Sequence, residues 1–413
     1  MDRKKRVMLV GGGIGQLPLA NKLTHRGGVI LIVVCYHILD EIAALADKVI
    51  IHDLFDLEGV LEIARQERID AVVSDQHDLY IPTVAYVAEH LGLPGNKYEQ
   101  VLSYCDKNKF RDVCELLGIP VPKHERVTNK EQETMLHFPV IVKPADAQSS
   151  VGVSKVTDNN LYREALTKAI DYSRSGTAIT EEFFEGQEIV SEGLIYNGVY
   201  NNLSFGDRVY FKLPDVFIPS QTIFPSTIPE DVCHRIVGFE TKLAKHIRPS
   251  FAIVHSEWLW NKESNQLCCV ESALRGGGVY ISSDLIPLCT ELPINELLID
   301  YALGQQIDIA EFLSHKKNRA SGYICFYLHK GIISKTEGLE ELAKLKGIER
   351  LCLEGLKVGT EVQKMTHKGQ RYGPILVSST NRDSLERLIS DCQETLRVTV
   401  EDSGEYCEGP VWI

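Results

Sequence analysis

The sequence predicts an α/β protein that begins with a doubly wound parallel sheet and continues into mixed α+β subdomains. Strand and helix patterns alternate over residues 6–100, which is typical of a parallel sheet covered by helices. From residue 106 onward, short strands pair with helices between them. At 413 residues the chain is too long for one hydrophobic core, so we expect about two to four domains.

The first domain is expected to bind its ligand at one edge of the sheet. Ligands of open parallel sheets lie beyond the carboxyl ends of the strands, which here means residues 11–15 and 74–78. Strands are predicted at residues 6–10, 29–34, 49–52 and 71–74, and helices at residues 17–25, 57–67 and 82–91.

The central region opens with a helix predicted over residues 107–117, because its apolar residues form one stripe and Gly118 closes it. The Pro-rich residues 205–230 are predicted to be irregular. Other predicted helices cover residues 161–172, 232–247 and 382–397, and predicted strands cover 140–142, 177–182, 188–195, 252–260, 266–271, 321–328, 332–335 and 374–379.

Residues 138–156 are the most informative stretch, because a short apolar strand there ends in a lysine and a loop of small residues follows. The β-branched residues 140–142 fit a buried strand, so Lys143 emerges at its end with a charge that needs a partner. Ser149, Ser150 and Gly152 let backbone amides approach an anion closely. The pattern indicates a triphosphate site, and an ordinary β-hairpin with a surface lysine is the alternative.

The glycines of residues 11–15 follow a strand and open a helix, so a dinucleotide site has to be considered. The pattern G-x-G-x-x-G fails, because Gln16 and Pro18 stand where a glycine is needed, and no acid follows the second strand to hold a ribose. The P-loop pattern is absent as well. Two interpretations of the turn stay open. Its free backbone amides bind a carboxylate or phosphate, or it is a tight strand-to-helix turn without a ligand.

Two acids, Glu257 and Glu271, lie on successive strands of a predicted hairpin, which could bring them to neighbouring positions. Two close carboxylates repel unless a cation lies between them, and Mg²⁺ prefers such oxygen ligands together with phosphate. Two solvated glutamates are the alternative. Arg275 and the three glycines after it favour an exposed anion site rather than a core.

Composition and charge exclude several classes of protein. A net charge of −13 argues against nucleic acid as the main partner, since backbone binding uses clustered Lys and Arg. The longest apolar run, residues 29–36, is too short for a membrane span, and the N-terminus has no signal-peptide pattern. The 11 cysteines contain no C-x-x-C pair and are typical of a reducing cytosol. We therefore expect a cytoplasmic protein that binds neither nucleic acid nor membrane.

Together these segments resemble the ATP-grasp superfamily of carboxylate ligases over roughly residues 100–310. The phosphate loop is most similar to that of D-alanine–D-alanine ligases, and the flanks resemble carbamoyl-phosphate-synthase-like and L-amino-acid ligase members. The order of the segments carries the resemblance more than any one of them. The segments are Asp106-Lys107, residues 118–122, residues 142–156, residues 181–188, Glu257 and Glu271-x-x-x-Arg275.

The resemblance implies an ADP-forming carbon–nitrogen ligase that converts a substrate carboxylate to an acyl phosphate with ATP and couples it to an amine. It implies Mg²⁺, with Mn²⁺ as an alternative, small-molecule substrates, and a homodimer. Arg275 and Lys143 are the implied catalytic residues, and Glu257 and Glu271 the implied metal ligands. The implied nucleotide contacts are Lys107, Lys143, Ser149, Ser150, Val151, Gly152, Glu181, Phe183, Phe184, Glu188 and Lys212, and for Lys212 a plain surface lysine is the alternative.

One position departs from the family pattern. Ala273 stands where an asparagine usually contributes to the metal site, so one protein ligand to the metal is missing. A bicarbonate-using carboxylase or carbamoyl-phosphate-type ligase, and an ATP-binding protein without chemistry, are the alternative functions. The implied domains are a Rossmann-like domain of residues 1–105, an ATP-grasp domain of residues 106–310 divided after residue 178, and an α+β subdomain of residues 311–413.

Overall fold

The structure is a computed structural model that describes residues 3–147, 151–213 and 217–413. It begins with a parallel sheet in the order β3-β2-β1-β4, with helices on both faces, which confirms the predicted fold class. The elements are β1 (Lys5–Val10), α1 (Leu17–Arg26), β2 (Val29–Cys35), α2 (Asp40–Leu45), β3 (Lys48–Ile51), α3 (Leu57–Glu67), β4 (Ala71–Val73), α4 (Ile81–Leu91) and α5 (Tyr98–Cys105).

A small antiparallel sheet follows in the order β5-β8-β6-β7, covered by one helix on an apolar core. The helix before it ends at Gly118, whose φ of +64° is the left-handed conformation predicted for that position. The elements are α6 (Lys107–Leu117), β5 (His124–Val127), β6 (Val140–Pro144), β7 (Ser154–Val156), α7 (Asn159–Tyr172) and β8 (Ala178–Glu182).

The largest sheet has eight strands and joins the middle of the chain to its C-terminal part. Its order is β13-β12-β9-β10-β11-β14-β18-β16, and every neighbouring pair in it is antiparallel. The elements of the middle part are β9 (Gln187–Tyr196), β10 (Val199–Tyr210), β11 (Pro219–Phe224), α8 (Glu230–Ile247), β12 (Phe251–Asn261), β13 (Gln266–Ala273), α9 (Ile286–Thr290), α10 (Ile294–Ala302) and α11 (Ile309–Ser314).

The C-terminal part adds three strands to that sheet and forms a second sheet in the order β17-β15-β19-β20. Its elements are β14 (Ala320–Phe326), β15 (Gly331–Glu337), α12 (Leu339–Lys344), β16 (Ile348–Leu351), β17 (Glu361–Val362), β18 (Tyr372–Ser379), α13 (Arg382–Thr395), β19 (Arg397–Asp402) and β20 (Glu405–Gly409).

The prediction that residues 205–230 are irregular is wrong for much of that segment. β10 runs to Tyr210 and pairs with β9 and β11, and β11 pairs on its other side with β14. The sequence gives no strand signal here because Asp207 and Arg208 of β10 lie in a polar part of the molecule. They make ion pairs there instead of packing in an apolar core. Such a strand lacks the alternation of apolar and polar residues from which strands are predicted.

The domain borders stay proposals, and the strand pairing bears on two of them. β8 pairs with β5 and β6, so we propose that the first ATP-grasp subdomain ends after Glu182 instead of at residue 178. The eight-stranded sheet runs across the proposed border at residue 310. No helix in the described ranges is long and apolar enough to cross a membrane.

Two glycine-to-alanine substitutions are expected to change stability in opposite directions. In β10, a Cβ at Gly206 would lie 2.8 Å from Phe224 Cε1 and 2.9 Å from Val190 Cγ2, so Gly206→Ala should cost about 1–3 kcal/mol by overpacking. In α8, a Cβ at the exposed Gly238 meets nothing within 4 Å, so Gly238→Ala should add about 0.5–1 kcal/mol. Thermal unfolding of both variants measures this, and a higher Tm for Gly206→Ala would contradict the packing described for β10.

Candidate active site

The two acids of the β12–β13 hairpin face each other. Glu257 and Glu271 are register partners, and the ladder shifts directly after Glu257. Their side chains are 25% and 28% exposed, so both carboxylates reach the surface of the cleft. The structure thus brings the two predicted metal ligands together, and metal binding by them stays a prediction.

A buried chain of charges surrounds Glu257. Arg208 donates to Glu188 at 2.8 Å and also to Glu257. His255 contacts Glu257 through Nε2 at 3.3 Å and Glu192 through Nδ1. Burial by itself raises the pKa of Glu257, but Arg208 and His255 outweigh burial and hold that pKa well below its usual range. Glu257 is therefore an anion whose position is fixed by two neighbours.

The strand that ends in Lys143 places its ammonium group in a buried ion-pair cluster. Lys143 is 6% exposed, and its Nζ lies 2.6 Å from Glu181 Oε2. The other oxygen of Glu181 accepts from Arg111 Nε at 2.7 Å. Burial would raise the pKa of Glu181, but Arg111 and Lys143 lower it to about 2. A phosphate that binds Lys143 therefore has to share it with Glu181.

Arg275 follows β13, and the first domain fixes its orientation. Its Nε and Nη2 donate to the two oxygens of Asp78 at 2.9 and 2.8 Å, and Nη2 also lies 3.9 Å from Glu271. A bidentate pair of this kind holds the plane of the guanidinium group. The predicted catalytic arginine thus lies beside a predicted metal ligand.

Asp75 connects the same loop of the first domain to the glycines after Arg275. It is 1% exposed and accepts from Gly276 N, Ser282 Oγ and Asn295 Nδ2, each at 2.8 Å. Its carbonyl oxygen accepts from the Gln16 side chain at 2.5 Å. The two segments expected to line the crevice, residues 11–15 and 74–78, are thereby joined next to Arg275.

The phosphate-loop region lies across the cleft from Glu271. Lys107 donates from Nζ to Ala147 O at 2.6 Å, and Lys107, Asp78 and Glu271 line one small pocket. Gly152 has a φ of +73°, and a Cβ there would lie 2.8 Å from the Pro144 ring, so this turn requires glycine. Val151 is exposed. Ser149 and Ser150 lie outside the described residues.

The remaining predicted nucleotide contacts are placed as follows. Phe183 donates its N–H to Pro139 O at 2.9 Å, and Lys155 Nζ lies 3.7 Å from the centroid of its ring. Phe184 is half-buried and Lys212 is exposed. Tyr210 donates to the second oxygen of Glu188 at 2.5 Å, so that carboxylate already has two partners. The nucleotide roles of all these residues stay predictions.

Sequence reasoning missed three charged residues of the site. Arg208 lies in the segment read as irregular, and Arg111 lies on the buried side of α6, where an apolar residue is the usual occupant. His255 had a readable signal, because residues two apart on a strand share a face and Glu257 follows it at that spacing. No comparable signal pointed to Arg111 or Arg208.

The residues present fit a magnesium ion that takes part of its ligands from phosphate and water. Within the ranges that the structure describes, no group of three or more His, Cys, Asp or Glu residues is arranged to hold a metal alone. Glu257 and Glu271 supply two facing carboxylates, and Mg²⁺ typically uses one or two carboxylates with substrate phosphate. Ala273 is buried and is the register partner of His255, and its methyl side chain supplies no oxygen ligand.

Comparison with known families and proteins shows that the chain is similar to ligases. Residues 90–210 match the family described as D-ala D-ala ligase C-terminus, and residues 324–401 match the L-amino acid ligase C-terminal domain 2. Alanine–anticapsin ligase of Bacillus subtilis (strain 168) is 26% identical over 287 residues, which are 62% of this chain and 59% of that protein. The chain thus spans less than two thirds of that relative.

Solved structures share the fold over nearly the whole chain. The L-amino acid ligase from Bacillus licheniformis superposes with a TM-score of 0.81 at 21% identity, covering 97% of this chain and all of that one. The biotin carboxylase domain of Hydrogenobacter thermophilus 2-oxoglutarate carboxylase was solved with MgADP, ADP and bicarbonate. It superposes with a TM-score of 0.72 at 13% identity, covering 99% of this chain and 92% of that one. The chain therefore has the ATP-grasp fold. In sequence the chain is similar to ligases of this fold over two separate segments and to alanine–anticapsin ligase over 62% of its length.

Removal of the Glu181 charge is expected to destabilise the protein in a pH-dependent way. Glu181→Gln leaves Arg111 and Lys143 buried without an anion, which costs about 3–5 kcal/mol near neutral pH. The pKa of Glu181 is lowered from 4.5 to about 2, so its contribution is present above 4.5 and is lost as the pH falls toward 2. The Tm difference between wild type and variant should therefore shrink on acidification through this window.

Glu182→Gln is the matched control for that experiment. Glu182 makes a more exposed ion pair, with Lys123 at 3.5 Å, whose loss should cost no more than about 1 kcal/mol. Equal effects of the two variants, or a Tm difference for Glu181→Gln that does not change with pH, would contradict the charge cluster.

Proposed function

We propose that the protein is an ADP-forming ligase that uses ATP to join the carboxylate of one amino acid to the amine of another small molecule. The observation that carries the proposal is the convergence of Arg275 and the Glu257–Glu271 pair on one wall of a cleft, with Lys107 on the opposite wall. The similarity to alanine–anticapsin ligase and to L-amino acid ligase supports an amide or peptide product.

The nucleotide lies, in this proposal, between the small antiparallel sheet and the eight-stranded sheet. Lys143 and Lys107 neutralise phosphate charge, and residues 148–153 cover the triphosphate and exclude water. Glu181, Phe183 and Phe184 contact the adenine, and Glu188 the ribose. Glu257 and Glu271 hold Mg²⁺, or Mn²⁺ in its place, which when bound spreads the negative charge of the phosphate oxygens.

The reaction has two steps. An oxygen of the substrate carboxylate attacks the γ-phosphorus of ATP, forming an acyl phosphate as the bond to the ADP oxygen breaks. The amine nitrogen then attacks the carbonyl carbon, the C–N bond forms, phosphate leaves with the original carboxylate oxygen, and the amine releases a proton. Arg275, oriented by Asp78, stabilises the acyl phosphate and the oxyanion of the second step through its planar fork.

The proposal also includes an oligomeric state and a cellular location. A homodimer is proposed from the family alone, and a cytoplasmic location from the composition of the chain. The substrates are small molecules, in keeping with the amino acids named in the descriptions of the similar ligases.

Transfer of oxygen from substrate to phosphate tests the reaction. Pairs of amino acids are screened for ADP release, and the active carboxylate substrate is then labelled with ¹⁸O in both carboxylate oxygens. The released phosphate should carry one ¹⁸O atom, because the acyl phosphate keeps a carboxylate oxygen. Lys143→Ala and Glu271→Ala should each lower kcat by about a hundredfold or more, since each removes a charge that the transition state needs.

Lys123→Ala, which alters an exposed lysine of the same subdomain, is the control and should keep normal turnover. ADP release that depends on bicarbonate instead of an amino acid would replace the proposal by a carboxylase-type reaction. Tight ATP binding without ADP release from any pair would favour a nucleotide-binding protein without chemistry.

A further inference from the structure

A buried acid lies behind the hairpin that carries Glu257 and Glu271. Glu240 is on α8, at helical spacing from the buried Val232 and Ile236 on the face that packs against the eight-stranded sheet. Glu240 is 1% exposed, although an apolar residue is the usual occupant of such a position. Its burial costs free energy that the burial of an apolar residue would not cost.

Hydrogen bonds join Glu240 to both strands of the hairpin. Ser272 Oγ on β13 donates to Glu240 Oε2 at 3.2 Å, and Trp258 Nε1 on β12 donates to Glu240 Oε1 at 3.3 Å. Trp258 Nε1 also donates to Ser256 Oγ at 2.9 Å. The three partner residues are fully buried, so water does not compete for these bonds.

These hydrogen bonds lie on the opposite face of the hairpin from the two acids of the cleft. Ser256 and Ser272 are register partners, and Glu257 and Glu271 form the next pair. Successive residues of a strand point to opposite faces, so the serines face α8 where the acids face the cleft. The register shifts between Glu257 and Trp258, and irregularities of this kind redirect side chains beside active sites. The contacts with α8 thus hold the hairpin on both sides of the register shift.

The surroundings of Glu240 favour its uncharged form. Burial raises the pKa of Glu240 to about 7, although its hydrogen bonds with the hairpin and the charge of His255 oppose the shift. Glu240 is therefore partly protonated near neutral pH, which lessens the cost of burying it. The other titratable groups that face it, whose pKa values burial also raises, are Tyr104 of α5, Tyr200 of β10 and Cys269 of β13.

We propose that Glu240 is a positioning residue that holds Glu257 and Glu271 at the separation that Mg²⁺ binding requires. The proposal rests on the ligase function above, in which these two acids bind the metal. Mg²⁺ demands near-ideal coordination geometry, so a small shift of either strand weakens its binding. An apolar residue in place of Glu240 would pack in the core but could not bond to both strands. Glu240 thus lowers stability and serves the geometry of the site.

Nucleotide binding with and without magnesium measures this role. Isothermal titration calorimetry gives the affinity for the ATP analogue AMP-PNP with Mg²⁺ and with EDTA, and the ratio of the two affinities is the gain from the metal. Glu240→Leu should lower this gain about fivefold or more, because the bonds to both strands are lost. Glu240→Gln should keep the gain within about twofold, because an amide can make both bonds.

Thermal unfolding separates positioning from a purely structural role. Glu240→Leu should have a Tm equal to or above that of the wild type, because an apolar residue of similar size replaces a buried acid. Ser272→Ala removes one of the two bonds from the side of the hairpin and should lower the metal gain about twofold or more. Glu230→Leu, at the exposed start of α8, is the control and should leave the metal gain unchanged.

Each outcome decides the proposal. A normal metal gain in Glu240→Leu, or a loss of gain that Glu240→Gln shares, overturns the role of Glu240. A lower Tm of Glu240→Leu together with a normal gain in Ser272→Ala overturns it as well, since the residue is then structural. If Glu240→Leu does not fold, the gain in Ser272→Ala decides.

The ligase function is tested separately by amide formation in the wild type. Amide formation together with a normal metal gain in Glu240→Leu leaves the ligase function standing and removes only this proposal. A reduced gain in Glu240→Leu with no amide from the wild type keeps the role of Glu240 and removes the ligase function. A wild type whose AMP-PNP binding does not respond to Mg²⁺ removes the metal site, and this proposal with it.

Discussion

Arg208 lies between Glu188 and Glu257, and its guanidinium group offsets the repulsion between the two acids. The pairing of each of these acids with a cation is the physical constraint on the arrangement of the whole site. Glu181 is buried between Arg111 and Lys143 for the same reason, since an unpaired buried charge costs several kcal/mol. The cleft is therefore lined by charges that are already positioned, and it needs little rearrangement to bind charged ligands.

The first domain takes part in the site through one short loop. Asp75 accepts three hydrogen bonds from the segment after β13, and Asp78 holds Arg275 in a bidentate pair. Because Asp75 is buried, its hydrogen bonds cannot be replaced readily by water. The position of Arg275, which follows β13 of the eight-stranded sheet, therefore depends on contacts with the parallel-sheet part of the chain.

Much of the fold was predictable because the first domain and the β12–β13 hairpin have regular apolar patterns. The helices at residues 57–67 and 107–117 have their predicted bounds, since each has a clear apolar stripe and a positive-φ residue at its end. β10 was not predicted because its polar residues make ion pairs instead of forming an apolar strand pattern. The acids and Arg275 were predicted from the hairpin pattern together with the family resemblance. Arg111 and Arg208 were not predicted, because their ion-pair partners lie far away in the sequence.

β11 pairs on one side with β10 and on the other with β14, from the C-terminal part. A chain cut near residue 310 would leave the backbone groups of β11 open and would uncover Ile223 and Phe224, both buried in the intact protein. An open apolar edge pairs readily with other chains, so such a fragment would associate instead of folding alone. The C-terminal part therefore cannot be exchanged between related proteins as a separate module. A recombined protein would have to inherit the strands that carry Glu188 and Arg208 together with those that close the sheet.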